Sequence, residues 1–174
     1  MKILFLDVDG VLNSIQSVIM YNRKHKGTPK EEWRPYDDFC PISVSNLQFI
    51  MESCPDVNIV VSSTWRMGGL EKMQKILKDI ANIDTSRVID ITPVMRGVQR
   101  GIEIQAWLDA NATVPEGSIL MPKLTVEEFV IVDDDSDMAH LTESKLVQTD
   151  NDLGLTLKNA REIIKRFGGN TDGW

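Results

Sequence analysis

The sequence predicts an α/β protein: a doubly wound, mainly parallel sheet of five strands, with helices on both faces and one small flap insertion rather than a large cap. Three observations lead to this fold class. Short apolar runs without polar alternation recur along the 174 residues, as strands buried on both faces require. Segments with apolar residues at helical spacing separate these runs, so strands alternate with helices. The polar residues with the most chemical potential follow the apolar runs directly, where open α/β sheets bind their ligands.

The first strand is the run Ile3–Leu6 within MKILFLDVDGVLN, and it ends in Asp7 and Asp9, followed by Gly10. Two like charges held this close repel each other. A cation, most simply a divalent metal, is therefore expected beside them. Residues Asn13 to Pro41 break the pattern. They carry basic residues (Arg23, Lys24, His25, Lys26, Lys30, Arg34), aromatics (Tyr21, Trp33, Tyr36, Phe39) and the punctuation of Gly27, Pro29, Pro35 and Pro41. Part of Ser14–Asn22 has helical character, and the remainder reads as a long loop. It is either a functional flap or lid or a solvated insertion whose aromatics pack down on the domain.

Ser43–Ser53 is a helix on Val44, Leu47, Ile50 and Met51, with Pro55 beyond its end. Val57–Val61 is the second strand, and it runs into Ser62, Ser63, Thr64, Trp65 and Arg66. Leu70–Ile80 is a helix with Leu70, Met73, Ile76, Leu77 and Ile80 on one face, and Arg87–Ile91 is a third strand. A loop with Arg96 and Arg100 leads to a helix over Gly101–Ala110. Pro115, Gly117 and Pro122 mark Asn111–Leu124 as a loop or small hairpin. The fourth strand, Glu128–Val132, ends in Asp133, Asp134 and Asp135, with Asp137 close behind. Lys145–Gln148 is a short fifth strand, Thr149–Gly154 a polar turn, and Thr156–Phe167 a final helix stopped by Gly168 and Gly169.

The length suits one domain over residues 1–174, with 13–41 as its insertion. A formal charge of −7 argues against a broad nucleic-acid-binding surface, though not against a small basic mouth for an anionic substrate. Two cysteines, Cys40 and Cys54, are too few for a disulfide scaffold. The apolar start is too short for a signal peptide, and no segment approaches the roughly 20 apolar residues of a membrane span. A cytoplasmic protein with no membrane partner is expected. Oligomeric state has no signature in the sequence.

The strand-end residues define the chemistry. Acids from two strands make an oxygen-rich site that suits Mg²⁺ rather than zinc. His25 and His140 lie far apart and pair with no cysteine at zinc-ligand spacing. Ser62 is not in a G-x-S-x-G turn, and no G-x-x-x-x-G-K-S/T loop is present. What remains is phosphoryl transfer to an aspartate, with a carboxylate nucleophile, a metal, a cation and a hydroxyl for the phosphoryl oxygens, and a second carboxylate to move protons.

The D-x-D-G-V-L start, Ser62 after the second strand, a cation before a helix and acids after the fourth strand resemble the haloacid dehalogenase (HAD) superfamily, with its Rossmann-like sheet. SSTWR, RGIEIQAWL, VDDD and TDNDLGLT resemble most the HAD phosphatase domains of Swiss Army Knife RNA repair proteins. The resemblance spans nearly the whole chain apart from 13–41 and 111–124. It implies that Asp7 is the nucleophile and a Mg²⁺ ligand, and that Asp9 is the general acid/base with its backbone carbonyl on the metal. It also implies that Ser62 binds the phosphoryl group, that Arg100 neutralises charge and orients the nucleophile, and that Asp133 completes the metal site. Asp134 is favoured over Asp137 as the further metal helper, and Arg100 over Arg96 because it directly precedes the helix. The presence of Asp9 favours phosphoryl chemistry over dehalogenation.

Ser63 and Arg66 are the expected substrate contacts, since a guanidinium matches phosphate, and Trp65 can stack a base. The competing reading packs Trp65 on the domain and pairs Arg66 in a salt bridge. The expected function is a Mg²⁺-dependent phosphomonoester hydrolase acting through an aspartyl-phosphate, on a nucleotide or another small phosphorylated substrate, or on a nucleic-acid end. A phospho-ligand-binding module without turnover and a phosphotransferase to an acceptor other than water are the alternatives.

Overall fold

A computed structural model describes residues 1–29, 36, 38–112 and 124–171. Lys30, Trp33, Arg34 and Pro35 of the expected flap lie outside the described residues, as does the loop or hairpin expected over 111–124 apart from its ends.

Five strands form one sheet: β1 (Lys2–Leu6), β2 (Val57–Val61), β3 (Val88–Ile91), β4 (Glu128–Asp133) and β5 (Leu146–Gln148). Their order is β3-β2-β1-β4-β5, and every pairing is parallel. β1 is central, and the chain turns to opposite sides of it for β2 and β4. That reversal opens the crevice in which doubly wound sheets bind ligands.

Both faces of the sheet are covered, which explains the unbroken apolar run of β1. Leu4 and Leu6 point into a core shared with α2 (Pro41–Ser53), α3 (Leu70–Ala81) and α6 (Leu157–Arg166). Ile3 and Phe5 point the other way, toward Ile104 and Trp107 of α4 (Arg100–Asn111) and toward Met138 and Leu141. Successive strand residues alternate between faces, so with a helical layer on each side no position from Ile3 to Leu6 can be polar. Phe5 meets Trp107 edge-on at 5.4 Å between ring centroids and Phe129 at 5.7 Å, the geometry that aromatic quadrupoles favour.

Several boundaries differ from the sequence reading. α2 begins at Pro41, two residues early, with the proline in its first turn, where a missing N–H is harmless. Lys145 belongs not to β5 but to a four-residue helix, α5 (Thr142–Lys145), preceded by a 3₁₀ turn at Ala139–Leu141. α1 (Ile15–Lys24) extends two residues beyond the expected helical stretch. It is capped by Ser14, whose hydroxyl accepts from Ser17 N–H while Ser17 returns the bond to Ser14 N–H. No α1 side chain is buried. Among the described residues no helix is long and apolar enough to cross a membrane.

Candidate active site

Strand register brings the strand-end residues together. The N–H of Asp7 donates to Val132 O at 3.0 Å, the N–H of Ser62 to Leu6 O at 2.9 Å, and the N–H of Thr149 to Asp133 O at 2.9 Å. Asp7, Ser62 and Asp133 therefore stand in a row across three adjacent strands. All three are buried, at 6%, 0% and 3% exposure.

One carboxylate oxygen from each of Asp7, Asp133 and Asp134 lies within 4.8 Å of the others. Asp134 reaches this cluster across Gly10. A Cβ at residue 10 would stand 2.3 Å from the Asp134 Cγ, and the backbone there has φ +70°, a conformation natural to glycine.

Burial is costly for these acids. It pushes the Asp7 carboxyl up to about 6, against hydrogen bonds from Ser63 and the Val8 backbone and the attraction of Arg100, with Asp9 adding repulsion. Burial, then the charge of Asp7, pushes Asp133 up to about 8, although the Asp135 N–H and Arg100 favour its charged form. Asp134 is raised chiefly by burial as well. Asp133 Oδ2 is buried and accepts no hydrogen bond, and the Arg100 Nε stands 3.9 Å from it. Three carboxylates with a buried, unsatisfied oxygen fit a hard divalent cation, for which all-oxygen donor sets are suited.

Around the cluster stand the hydroxyls and cations. Ser62 Oγ is fully buried with no hydrogen-bond partner, so it retains both a donor and lone pairs. Ser63, expected to contact substrate, instead bonds the Asp7 carboxylate and accepts from Trp65 N–H at 3.3 Å. Arg66 is corrected in the same way. It is 3% exposed, and its five donors are directed to Thr92 O, Ser62 O, Ser63 O, Pro93 O and the Glu103 carboxylate. The salt-bridged alternative describes it. Its task is to hold the loops after β2 and β3.

Glu103, which the sequence did not single out, is the hub of this arrangement. It is buried, and it binds Arg66 at 2.5 Å, Arg100 at 3.2 Å and the Met95 N–H at 2.7 Å. Its spacing of three from Arg100 on one helix was the available signal. Arg100 thus sits between Glu103 and Asp133, whereas Arg96 lies in an exposed turn. Asp137 is engaged at the start of α4, where its carboxylate accepts from Arg100 N–H at 3.1 Å and its carbonyl from Gly101 N–H at 3.2 Å. Asp134, not Asp137, shares the carboxylate cluster.

Asp9 has different neighbours. It is exposed, and its Oδ1 accepts from Asn13 Nδ2 at 2.9 Å and from the Trp65 indole N–H at 3.0 Å, while Thr64 Oγ1 lies 3.4 Å from Oδ2. Trp65 leans edge-on against Phe39 at 5.3 Å, and Phe39 against Tyr36 at 6.0 Å. The indole is therefore packed on the domain and also bonded to Asp9. Asn13 and Thr64 are further functional candidates, to which the sequence analysis assigns no role. Asn13, four residues after Asp9, also accepts from Gly10 N–H at 3.2 Å.

The loop from Gly10 to Ser14 is braced by the TDNDLGLT segment. Thr149 Oγ1 donates to Gly10 O at 2.8 Å, Leu155 N–H to Val11 O at 2.8 Å, and Ile15 N–H to Asn151 O at 3.0 Å. A segment more than a hundred residues further along the chain, with Thr149, Gly154 and Leu155 buried, thus fixes the turn that carries both acids of the first strand.

The family model described as the HAD domain in Swiss Army Knife RNA repair proteins matches residues 3–160. No curated protein and no solved structure matches the chain.

Proposed function

Because the chain belongs to the family of HAD domains found in Swiss Army Knife RNA repair proteins, we propose that it is a Mg²⁺-dependent phosphomonoester hydrolase that works through an aspartyl-phosphate on Asp7. The observation that carries this reading is the carboxylate cluster of Asp7, Asp133 and Asp134 beside the unpartnered Ser62 hydroxyl. It combines a nucleophile, a cation site and a free donor at one sheet edge.

Asp7, Asp133 and Asp134 would hold Mg²⁺, which when bound neutralises charge on the transferring phosphoryl oxygens. Ser62 Oγ donates to a phosphoryl oxygen, and the Arg100 guanidinium lies near enough to Asp133 to share the anionic load. An oxygen of Asp7 attacks phosphorus as the bond to the leaving oxygen breaks, and Asp9 supplies the proton that makes the leaving group an alcohol. Water then attacks phosphorus and Asp9 takes its proton. The bond to Asp7 breaks, freeing inorganic phosphate and restoring the Asp7 carboxylate and the protonated Asp9.

Asp9 suits the shuttle because it is exposed and held by donors on Oδ1. With Oδ1 engaged by two N–H groups that cannot accept, Oδ2 is the oxygen left to carry the proton. The substrate we propose is a nucleotide or a phosphorylated nucleic-acid end, supported by the family's association with RNA repair proteins.

The test is phosphate release from mononucleotides, 3′- and 5′-phosphorylated oligonucleotides, sugar phosphates and phosphopeptides, with the metal stripped by EDTA and restored as Mg²⁺. Turnover that survives metal removal would contradict the metal dependence. Product analysis with an added nucleoside acceptor separates hydrolysis from phosphotransfer.

A further inference from the structure

α1 presents an unexplained apolar edge. Ile15, Val18 and Ile19 are all exposed and recur at i, i+3 and i+4, which places them on one side of the helix. Core packing does not account for them, since no α1 side chain is buried. They line a cavity of about 270 Å³ together with Asp9, Gly10 and Asn13. The orientation of this edge toward Asp9 is fixed by hydrogen bonds. Asn13 joins Asp9 and Gly10, the adjacent Ser14 caps α1, and the Ile15 N–H is tied to Asn151 O.

We propose that this cavity is the leaving-group site, and that it selects phosphomonoesters whose alcohol carries an apolar ring. The assignment rests on the phosphatase reading above. The group that protonates the leaving oxygen must stand next to that oxygen. The remainder of the alcohol then occupies the space beside Asp9, where it meets Ile15, Val18 and Ile19. An apolar ring placed there removes apolar area from water on both partners, whereas a small polyol gains nothing from that wall. The volume lies near the lower limit for small-molecule sites, room for a ring system rather than a long chain.

Two esters with leaving alcohols of similar acidity isolate the effect: 2-phenylethyl phosphate and ethyl phosphate. The wild-type protein is expected to turn over the phenylethyl ester with a kcat/KM about tenfold higher, an increment typical of filling an apolar pocket. In a Val18→Ser/Ile19→Ser variant that ratio is expected to collapse to within about twofold of one, mainly through KM. Met20→Ser, on an exposed α1 residue that does not line this cavity, serves as the control and should keep the wild-type ratio. A wild-type ratio near one, or a ratio unmoved by the double variant, overturns the leaving-group site while leaving the phosphatase reading intact. Release of phosphate from neither ester, nor from any ester of the wider panel, overturns both.

Discussion

Asp9 is held at one oxygen by two N–H donors that come from different parts of the chain, Asn13 in its own loop and Trp65 after β2. If those bonds aim the proton shuttle, their loss should matter most where the leaving group most needs a proton. Trp65→Phe keeps the ring against Phe39 and removes the donor. We expect about a tenfold fall in kcat/KM, which reports the step in which the leaving group departs, on an alkyl phosphate, in keeping with loss of a hydrogen bond to Asp9, and little change in kcat/KM on p-nitrophenyl phosphate, whose leaving group departs unprotonated. Equal losses on both esters would show a packing defect instead.

At the same scale, the sequence announced some residues and concealed others. Asp7, Ser62 and Asp133 were legible because each directly follows an apolar run whose register the sheet then aligns. The position of Arg66 was legible, but the direction of its long side chain was not. Its fate was decided by Glu103, 37 residues away, and by carbonyls of the loop after β3. Asn13 and Thr64 act through a single hydrogen bond each to Asp9, and one short polar residue in a loop carries no periodic signal.

The placement of α4 depends on one residue among the elements. A Cβ at Gly101 would stand 2.1 Å from the Met138 carbonyl oxygen, a backbone atom that no rotamer change can move. Gly101→Ala should therefore displace the start of α4, and Arg100 with it. We expect a loss of about 1–3 kcal/mol, as for overpacked cores, read as a lower denaturant midpoint at unchanged slope, together with weaker phosphate release. Wild-type stability in this variant would mean that α4 does not need that close approach.

Elements were more legible than their ends. β2 was read to the residue because its five apolar-rich positions are bounded by polar turns. The first turn of α2 is not legible because Pro41, a helix starter here, stands at the end of an insertion already punctuated by prolines. The short helical stretch 139–145 has too few turns to show a period, so nothing in the sequence separates Lys145 from the strand that follows.

For the whole molecule, the buried acids link metal, pH and stability. Asp7 and Asp133 are raised from 3.8 to about 6 and about 8 without a cation. Between those limits the native state holds protons that the unfolded chain has released, so metal-free stability falls as pH rises. The contribution is fully present below about pH 4 and is lost as pH passes through about 6 and then about 8. A cation bound by the ionised acids reverses the trend. The thermal midpoint should gain roughly 5–10 °C at pH 8 with Mg²⁺ a hundredfold above its Kd, since about 2.7 kcal/mol of linkage shifts a chain of this size by that much. At pH 5 the gain should shrink toward zero. A Mg²⁺ effect independent of pH, or one preserved in Asp133→Asn, would place the ion elsewhere.

The negative charge of the chain, −7, has its most crowded expression at the carboxyl edge of the sheet. There the strand order fixed by β1 brings Asp7, Asp133 and Asp134 together, with the Arg100 side chain as the cation nearest Asp133 among the described residues. The charge imbalance was legible in the sequence, because the acids follow their strands. The aromatic brace on Asp9 was not, because it joins Phe39 to Trp65 across the fold.

The proposed mechanism requires that Asp7 become phosphorylated. Protein turning over a phosphomonoester with Mg²⁺ is quenched with borohydride, which reduces an acyl phosphate to an alcohol, and is then digested and sequenced by mass spectrometry. Homoserine at position 7, absent without substrate and absent in Asp7→Asn, is the predicted result. Continued phosphate release with Asp7 unmodified, or from the Asp7→Asn variant, would contradict it.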